Sequence, residues 1–492
     1  MAVMLATVMQ VIDVSIAAVA LPDMQGSFSA TQDQIAWVLT SYLVAVAVMT
    51  PATGWLAARV GRKNLLLFAV AGFTITSIAC GLSDSILEMV LWRVFQGGFG
   101  AALVPLSQAT MFDTHPKEKH GSAMAIWGVG VMVGPIIGPS LGAYLTEFYS
   151  WRWVFYINLP FGLLALLGIL AFVPETDRRQ RPVDLFGFAM LALGVGAFQL
   201  MLDRGEFKDW FSSPEIIIEA ALAALGIYLF LVHSLFVRHP FLDLRLLRDR
   251  NYAAGLVLAF VFGLILLTTL VLMPPYMQNL MDYPVLATGI VLAPRGIGAM
   301  AAMMIVSRVL DRMEGRPLIC LGLLLTAFSL WKMTGFTADV PEFTLIWTGI
   351  VQGFGLGFFF VPLNTVTFST MASEHRTEAA GLFNLMRNMG SSIGISVVVS
   401  LLIRGTQANH EELRTHLHPF NELMDTTRMP ESWSLTESAG LLAMNHEVAR
   451  QAAAIAYIND FKLLMIVTLL AIPLLLFLRD GRERGPSAAP TT

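Results

Sequence analysis

The sequence GFGAALVPL at residues 98–106 recurs as GLGFFFVPL at residues 355–363, at an offset of 257. A second, weaker match pairs AARVGRK at 57–63 with LDRMEGR at 310–316, at an offset of about 253. Two matches in nearly one register indicate an internal duplication. We therefore predict two parallel halves, residues 1–175 and 252–480, with residues 184–237 inserted between them.

Composition places these halves in a membrane. Hydrophobic residues make up 56% of the 492-residue chain and charged residues only 13%, against the roughly 25% charged that is typical of soluble domains. A hydrocarbon core of ~30 Å needs about 20 helical residues. We count fourteen such runs, which predict an all-helical membrane protein with six spans per half and two inserted; they begin near Ala2, Ile35, Leu65, Ile86, Ser122, Val154, Leu185, Ile216, Ala253, Val285, Leu318, Phe343, Ala379 and Leu463.

The Lys and Arg residues of the loops predict the orientation. Nineteen of them fall in loops and ends on the side that would hold the N-terminus, whereas the short loops of the other side hold only Arg152, Arg204, Lys208 and Lys332. Positive residues stay on the cytoplasmic side. Both termini are therefore predicted to be cytoplasmic. The only long loop on the other side spans residues 404–461, and a loop of that length usually has a function or a partner; the alternative is a solvated cap.

Several function classes lack their sequence signals. The two cysteines, Cys80 and Cys320, lie inside predicted spans and form no CxxC or Cys/His metal pattern. A phosphate loop of the form GxxxxGK[ST] is absent. We therefore expect that the protein is not an enzyme and that it binds no metal, no cofactor and no nucleic acid.

Asp13, within VIDVSIAAVALP at 11–22, is the acid that needs an explanation. It falls near the middle of the first span, where a charged side chain costs about 2.5 to 3.5 kcal/mol. Such an acid is tolerated when it faces a cavity or a partner. A carboxyl whose access alternates between two sides can load and release a proton, so Asp13 is the candidate proton carrier. The alternative is a fixed hydrogen bond that holds the first helix in place.

Three arginines also lie deep in predicted spans: Arg93, Arg295 and Arg387. An excess of buried cations over buried acids suits an anionic or weakly acidic substrate; the alternatives are clamps on backbone carbonyls and side chains that reach the membrane surface. Polar residues in the same spans give further candidates for a substrate cavity or for interhelix hydrogen bonds. The candidate cavity residues are Gln96, Arg295, Gln352, Asn364, Asn384 and Arg387.

Four motifs resemble those of the major facilitator superfamily, and specifically of its fourteen-helix drug:proton antiporters. The first-helix signature is IDVSIAAVALP at 12–22, the cytoplasmic-loop motif is GWLAARVGRK at 54–63, the fourth-helix motif is LWRVFQGGFGAA at 91–102, and the antiporter motif is GVGVMVGPIIGPSLG at 128–142. LMLDRGEFKDWFSSPEI at 200–216 is similar to the same stretch of EmrB-type permeases. The resemblance covers essentially the whole chain.

The resemblance assigns roles to the residues that match. Asp13 and Arg93 are implied in proton coupling. The conformational loop motif comprises Gly54, Arg59, Gly61 and Arg62, with Asp311 and Arg312 in the second half. The antiporter motif comprises Gly130, Gly134, Pro135, Gly138, Pro139 and Gly142, a spacing that also suits static close packing of helices.

The chain departs from the family pattern at three positions. Ala58 stands where the loop motif has an acid, and Asp311 is the candidate replacement. Ser15 replaces Thr and Ala18 replaces Asn in the first helix, which removes an amide near Asp13.

The sequence thus predicts a proton-driven exporter of hydrophobic drugs or weak acids in the bacterial inner membrane. The resemblance to EmrB-type permeases implies a small amphipathic substrate, protons as the coupled ion, a periplasmic EmrA-like adaptor protein, a TolC-like outer-membrane channel and contact with membrane lipid. The alternative within transport is a dedicated exporter of one endogenous organic anion, fatty acid or siderophore. A sensor that binds ligand without transport is a third reading.

Overall fold

A computed structural model describes residues 2–116, 119–175, 184–238, 240–310, 313–372, 375–417 and 438–478. Its first half consists of ten helices that form six spans. They are α1 (Ala2–Val19), α2 (Leu21–Phe28), α3 (Gln32–Met49), α4 (Ala52–Val60), α5 (Arg62–Leu82), α6 (Ile86–Gly100), α7 (Leu103–Thr114), α8 (His120–Phe148), α9 (Trp153–Tyr156) and α10 (Asn158–Phe172).

The inserted pair and the second half follow. The inserted helices are α11 (Leu185–Arg204) and α12 (Pro214–Phe236), and the second half contains α13 (Arg250–Pro275), α14 (Val285–Val309), α15 (Gly315–Met333), α16 (Glu342–Phe368), α17 (Arg376–Thr415) and α18 (Ser438–Leu470). A π-helical turn at Tyr276–Leu280 extends α13, and short 3₁₀ segments occupy Trp210–Ser212, Leu244–Arg248 and Ile472–Phe477.

The predicted all-helical membrane fold is confirmed. Thirteen described helices are long and apolar enough to span a membrane, or fourteen when α3 and α4 count as one bent span. These two helices meet at an angle of 60° across Thr50 and Pro51. Proline has no backbone N–H and its ring disfavours a straight continuation, which explains the bend. No β-strand occurs among the residues that the structure describes.

The segment 404–461, predicted as a long loop, is helical at both ends. Helix α17 continues to Thr415 and α18 begins at Ser438, far before Leu463. Sequences such as NHEVARQAAAIA contain strong helix formers, which explains the extension. Residues 418–437 lie outside the described residues.

The two halves pack along antiparallel helices α8 and α14. A Cβ added at Gly121 would lie 2.9 Å from Leu310 Cδ2, and one added at Gly289, near the other end of α14, would lie 3.2 Å from Ser140 Oγ. The inserted helix α11 touches both halves, because Ser396 of α17 donates a hydrogen bond to the Leu202 carbonyl at 3.0 Å and the Arg204 guanidinium lies over the Trp37 ring of α3. We call the end of the bundle that holds Arg59, Arg62 and Arg376 the basic side.

Candidate functional site

Asp13 lies in a polar cluster inside the first half, and both of its carboxylate oxygens accept hydrogen bonds. Its Oδ2 accepts a hydrogen bond from Arg93 Nη1 at 2.7 Å, and its Oδ1 accepts from Gln96 Nε2 at 2.9 Å and from Asn158 Nδ2 at 2.8 Å. The Asp13 and Arg93 side chains are 1% and 0% exposed. Helices α1, α6 and α10 thus meet at one carboxylate in the membrane interior.

Arg93 is held by more than its acid partner. Its Nε donates to the Val38 carbonyl of α3 at 2.9 Å, and its guanidinium lies 4.2 Å from the centroid of the Tyr42 ring. Its Nη2 has no hydrogen-bond partner within the described part of the chain. The arginine therefore keeps partial support from a carbonyl and an aromatic face, even if the charge on Asp13 is neutralised.

Asn158 and Ser77 complete this cluster, and the sequence analysis did not identify either residue. Asn158 Nδ2 also donates to Ser77 Oγ at 2.9 Å, which in turn donates to the Phe155 carbonyl at 2.8 Å. The signal was present in the sequence, because Asn158 is an isolated amide at the beginning of an apolar run. Its partner lies 145 positions away, a pairing that helical periodicity does not reveal.

The antiporter-motif glycines of α8 form the surface against which α1 packs. A Cβ atom added at Gly130, Gly134, Gly138 or Gly142 would contact Met4, Val11, Ser15 or Ile16 of α1, respectively. Ser15 Oγ donates to the Gly134 carbonyl at 3.1 Å. Pro139 is half-buried on the same helix, whereas the side chain of Pro135 lies outside the described part. The motif therefore places the helix that carries Asp13 in direct backbone contact with α8.

We predict that Gly134→Ala destabilises the protein. Its Cβ would lie 2.5 Å from Val11 Cγ1 and 2.9 Å from the Val11 carbonyl carbon, so α1 would have to shift. Overpacking of this kind costs about 1 to 3 kcal/mol, more than the gain of up to about 1 kcal/mol in helix propensity from replacing glycine. Thermal unfolding of the purified protein in detergent should show a lowered Tm. Gly98→Ala is the matched control, since its nearest neighbour, Met49 Cγ, lies 4.0 Å away; equal Tm values for the two variants would contradict the prediction.

A second charged cluster joins the two halves on the basic side. Asp113, at the end of α7, pairs with Arg62 of α5 and with Arg376 of α17; the Arg376 Nη1–Asp113 Oδ1 distance is 2.6 Å. Arg62 Nη2 also donates to Thr377 Oγ1 at 2.9 Å. We call Arg62, Asp113, Arg376 and Thr377 the basic-side latch. Its acid is Asp113, which the sequence analysis missed; the candidate Asp311, like Arg312, lies outside the described residues.

The remaining loop-motif residues surround this latch. Gly54 lets α4 approach α17, because a Cβ there would lie 2.6 Å from Glu378 Cα. Gly61 has a φ of 93°, which side chains disfavour, and it terminates α4. Arg59 points outward and lies 5.4 Å from the Trp55 ring centroid.

Three buried amides connect the halves deeper in the bundle. Gln108 of α7 donates to Asn364 of α16 and accepts from Asn384 Nδ2 of α17 at 2.9 Å. Asn364 and Asn384 also donate to carbonyls of their own helices. Both residues were candidates for the substrate cavity, and in this structure they form interhelix hydrogen bonds. A substrate would have to replace these bonds to reach them.

The other candidate cavity residues belong to the second half, except Gln96, which lies in the Asp13 cluster. Arg295 donates to Thr269 Oγ1 at 2.7 Å and to the Leu266 carbonyl at 3.2 Å. Arg387 is half-buried, and Gln352 is fully buried with neither amide atom hydrogen-bonded to a described residue. Neither arginine forms an ion pair with a carboxylate in the described ranges.

Residues 3–395 match the Major Facilitator Superfamily. The chain is 36% identical over 423 residues to the Multidrug export protein EmrB of Escherichia coli strain K12, covering 85% of this chain and 83% of that protein. It is 33% identical over 473 residues to the Fatty acid resistance protein FarB of Neisseria gonorrhoeae, covering 96% of this chain and 93% of that protein.

Solved structures with the same fold include the human organic anion transporter MFSD10 (TETRAN), with a TM-score of 0.60, 15% identity, and coverage of 95% of this chain and 98% of that one. A double-Trp mutant of XylE matches with a TM-score of 0.60 at 14% identity, covering 97% of each chain. These likenesses establish the fold, and the sequence relatives establish the family. The chain is a multi-pass membrane transporter of the major facilitator superfamily and belongs to its EmrB-like branch.

Proposed function

We propose that this transporter exports hydrophobic drugs or weak acids in exchange for protons, with Asp13 as the residue that carries the proton. The observation that supports it best is the buried Asp13–Arg93 pair at 2.7 Å, on a helix that packs against the glycine surface of α8. A buried ion pair is stable only while both partners are charged. Protonation of Asp13 therefore changes what holds α1 to α6.

The geometry supports a simple exchange cycle. When Asp13 takes up a proton, Arg93 loses its charged partner and keeps the Val38 carbonyl, Gln96 Oε1 and the Tyr42 ring. Helix α1 is then less tightly fixed and can shift along α8. Release of the proton on the other side restores the pair. Each turn of the cycle moves one proton per Asp13 and couples that proton to a movement of the halves.

The charge distribution and the sequence relatives support the proposed direction of transport and the proposed location. The loops of the basic side contain the excess of Lys and Arg, which supports a cytoplasmic position for that side and for both termini. Because EmrB is named a multidrug export protein, we propose outward transport across a bacterial inner membrane. A periplasmic EmrA-like adaptor and a TolC-like channel are the proposed partners, and the helical extensions of α17 and α18 on the opposite side are the proposed contact surface.

One observation favours a second candidate, an exporter dedicated to an endogenous organic anion. Arg295 and Arg387 lie in membrane helices of the second half without a carboxylate partner among the described residues. A guanidinium that lacks an acid is suited to a carboxylate substrate. FarB, a relative at 33% identity, is named for fatty acid resistance.

The proposal is tested in inverted membrane vesicles whose lumen is acidified by respiration. We expect that addition of substrate releases lumenal protons in proportion to the amount of transporter, for several compounds from a panel of hydrophobic weak acids and cations. Vesicles that lack the transporter correct for weak acids that carry protons through lipid. A response to carboxylates alone would support the dedicated anion exporter instead. Substrate uptake that persists unchanged after an ionophore collapses the proton gradient would contradict proton coupling.

A further inference from the structure

Three buried polar atoms beside the Asp13 cluster have no hydrogen-bond partner in the part of the chain that the structure describes. They are Gln10 Oε1 of α1, Tyr42 Oη of α3 and Arg93 Nη2 of α6. The residues that carry them are 9%, 1% and 0% exposed. A buried polar atom costs free energy while it stays unsatisfied, so such atoms nearly always bond to the protein or to a bound water.

These three atoms lie close together. The Arg93 guanidinium lies over the Tyr42 ring, 4.2 Å from its centroid, and the hydroxyl of that ring lies near the Gln10 amide. Gln10 and Asp13 are three residues apart on α1, so their side chains are neighbours on the helix surface. One water commonly joins polar atoms that are too far apart for a direct hydrogen bond, and a buried water makes about three hydrogen bonds. The three atoms therefore suit a single bound water next to Asp13.

This polar group extends from Asp13 toward the basic side. Helix α1 starts on that side, so Gln10 lies about one helical turn nearer to it than Asp13 does. The Tyr42 side chain points the same way. A Cβ added at Gly97 would lie 2.5 Å from the Tyr42 carbonyl oxygen, and one added at Gly100 would lie 3.1 Å from Tyr42 Oη. Because α6 runs toward the basic side and continues there as α7, the hydroxyl is nearer to that side than the Tyr42 backbone is.

We propose that Asp13 exchanges its proton with the basic side through a water held by Gln10, Tyr42 and Arg93. The water takes the proton from the Asp13 carboxyl and passes one of its own hydrogens to Tyr42 Oη. The hydroxyl gives up its hydrogen to a second water on the basic side, so the first water and the tyrosine end neutral. A hydroxyl both accepts and donates, as this step requires, whereas the Arg93 guanidinium only donates and is, like Gln10, a positioning residue. The inference rests on the proposed function, because it needs Asp13 to carry the proton.

Tyr42→Phe in the full-length transporter tests this route, because it keeps the ring beneath Arg93 and removes only the hydroxyl. In energised inverted vesicles, we expect the rate of substrate-induced proton release to fall about tenfold or more. Exchange of labelled for unlabelled substrate needs no net proton movement and should keep its native rate, whereas a structural role for Tyr42 would slow both processes. Tyr156→Phe is the matched control, since its hydroxyl donates to the Gly81 carbonyl at 2.9 Å, near the opposite side; both rates should stay near native.

Gln10→Leu tests the water, because it removes one of the polar partners of the water at similar side-chain volume. We expect slower proton release and native substrate exchange in this variant as well. Proton release at the native rate in Tyr42→Phe, from vesicles in which the native protein responds, would overturn this inference alone. Equal losses of proton release and substrate exchange in both variants would also overturn it. If the native protein released no protons, proton coupling itself would be contradicted, and this inference with it.

Discussion

Replacing Asp13 by asparagine should abolish proton-driven export and leave a folded transporter. Asparagine has the shape of a protonated aspartic acid, so it mimics one state of the proposed cycle and cannot reach the other. Arg93 keeps the Val38 carbonyl and the Tyr42 ring, which should limit the structural damage. In energised inverted vesicles, substrate-induced proton release should fall to the level of vesicles without the transporter. Exchange of labelled for unlabelled substrate, which needs no net proton movement, should persist.

The matched control is Asp460→Asn in α18. Asp460 is another buried carboxyl, 2% exposed, and it forms no ion pair with a described residue. Its replacement removes a buried acid without disturbing Arg93, so proton release should stay near the native level. If Asp460→Asn abolished the response and Asp13→Asn did not, the proton would travel through the second half and the assignment of Asp13 would be wrong. Loss of substrate exchange in Asp13→Asn would indicate a structural role for this residue.

Asp113→Asn should open the basic side of the transporter. The change leaves Arg62 and Arg376, with side chains 10% exposed, facing each other without their shared acid. Removing one partner of a buried pair costs about 3 to 5 kcal/mol. The Asp113 side chain is 25% exposed, so we expect roughly 2 to 4 kcal/mol against the latched state, a shift of about 30- to 1,000-fold in the ratio of latched to open molecules.

Double electron–electron resonance can measure this shift. Spin labels at Val60 of α4 and Arg308 of α14 are exposed on the basic side of opposite halves, in a background that lacks Cys80 and Cys320. Asp113→Asn should lengthen the main distance. Asp84→Asn is the control, since its pair with Arg152 at 3.3 Å is solvent-exposed on the opposite side. An unchanged distance distribution in Asp113→Asn would show that the latch does not hold the halves together.

The membrane class, the spans and the Asp13–Arg93 pairing could be predicted from the sequence. The first two depend on apolar runs within the chain, and the pairing depends on a motif of a known family. Long apolar runs predict spans whatever the helices contact, and a lone acid in such a run requires a partner. Arg93 was the candidate partner through the fourth-helix motif, and the structure places it 2.7 Å from Asp13. The bend between α3 and α4 divided one predicted span into two helices, since the proline at 51 interrupts it.

The partners across the bundle could not be predicted in the same way. Asp113 and Arg376 are 263 positions apart; Asp113 lies near the end of one apolar helix and Arg376 at the beginning of another. Only the packing of α7 against α17 makes them a pair. Gln108 was likewise not identified, although its amide connects Asn364 and Asn384. The sequence alone left two alternatives for Asn364 and Asn384, because a polar residue in a membrane span can line a substrate cavity or form an interhelix hydrogen bond.

The 60° bend between α3 and α4 determines where the latch residue Arg62 is placed. Helix α4 has nine residues, so it is about 13 Å long, and a 60° tilt carries its end roughly 12 Å sideways from the axis of α3. Arg62 lies two residues after that end, beyond Gly61, which explains how a residue of the first half reaches Thr377 in the second half. The reach of the latch is therefore set by a proline-induced angle inside one half. Straightening this single span would withdraw the arginine from its partners without moving either half as a body.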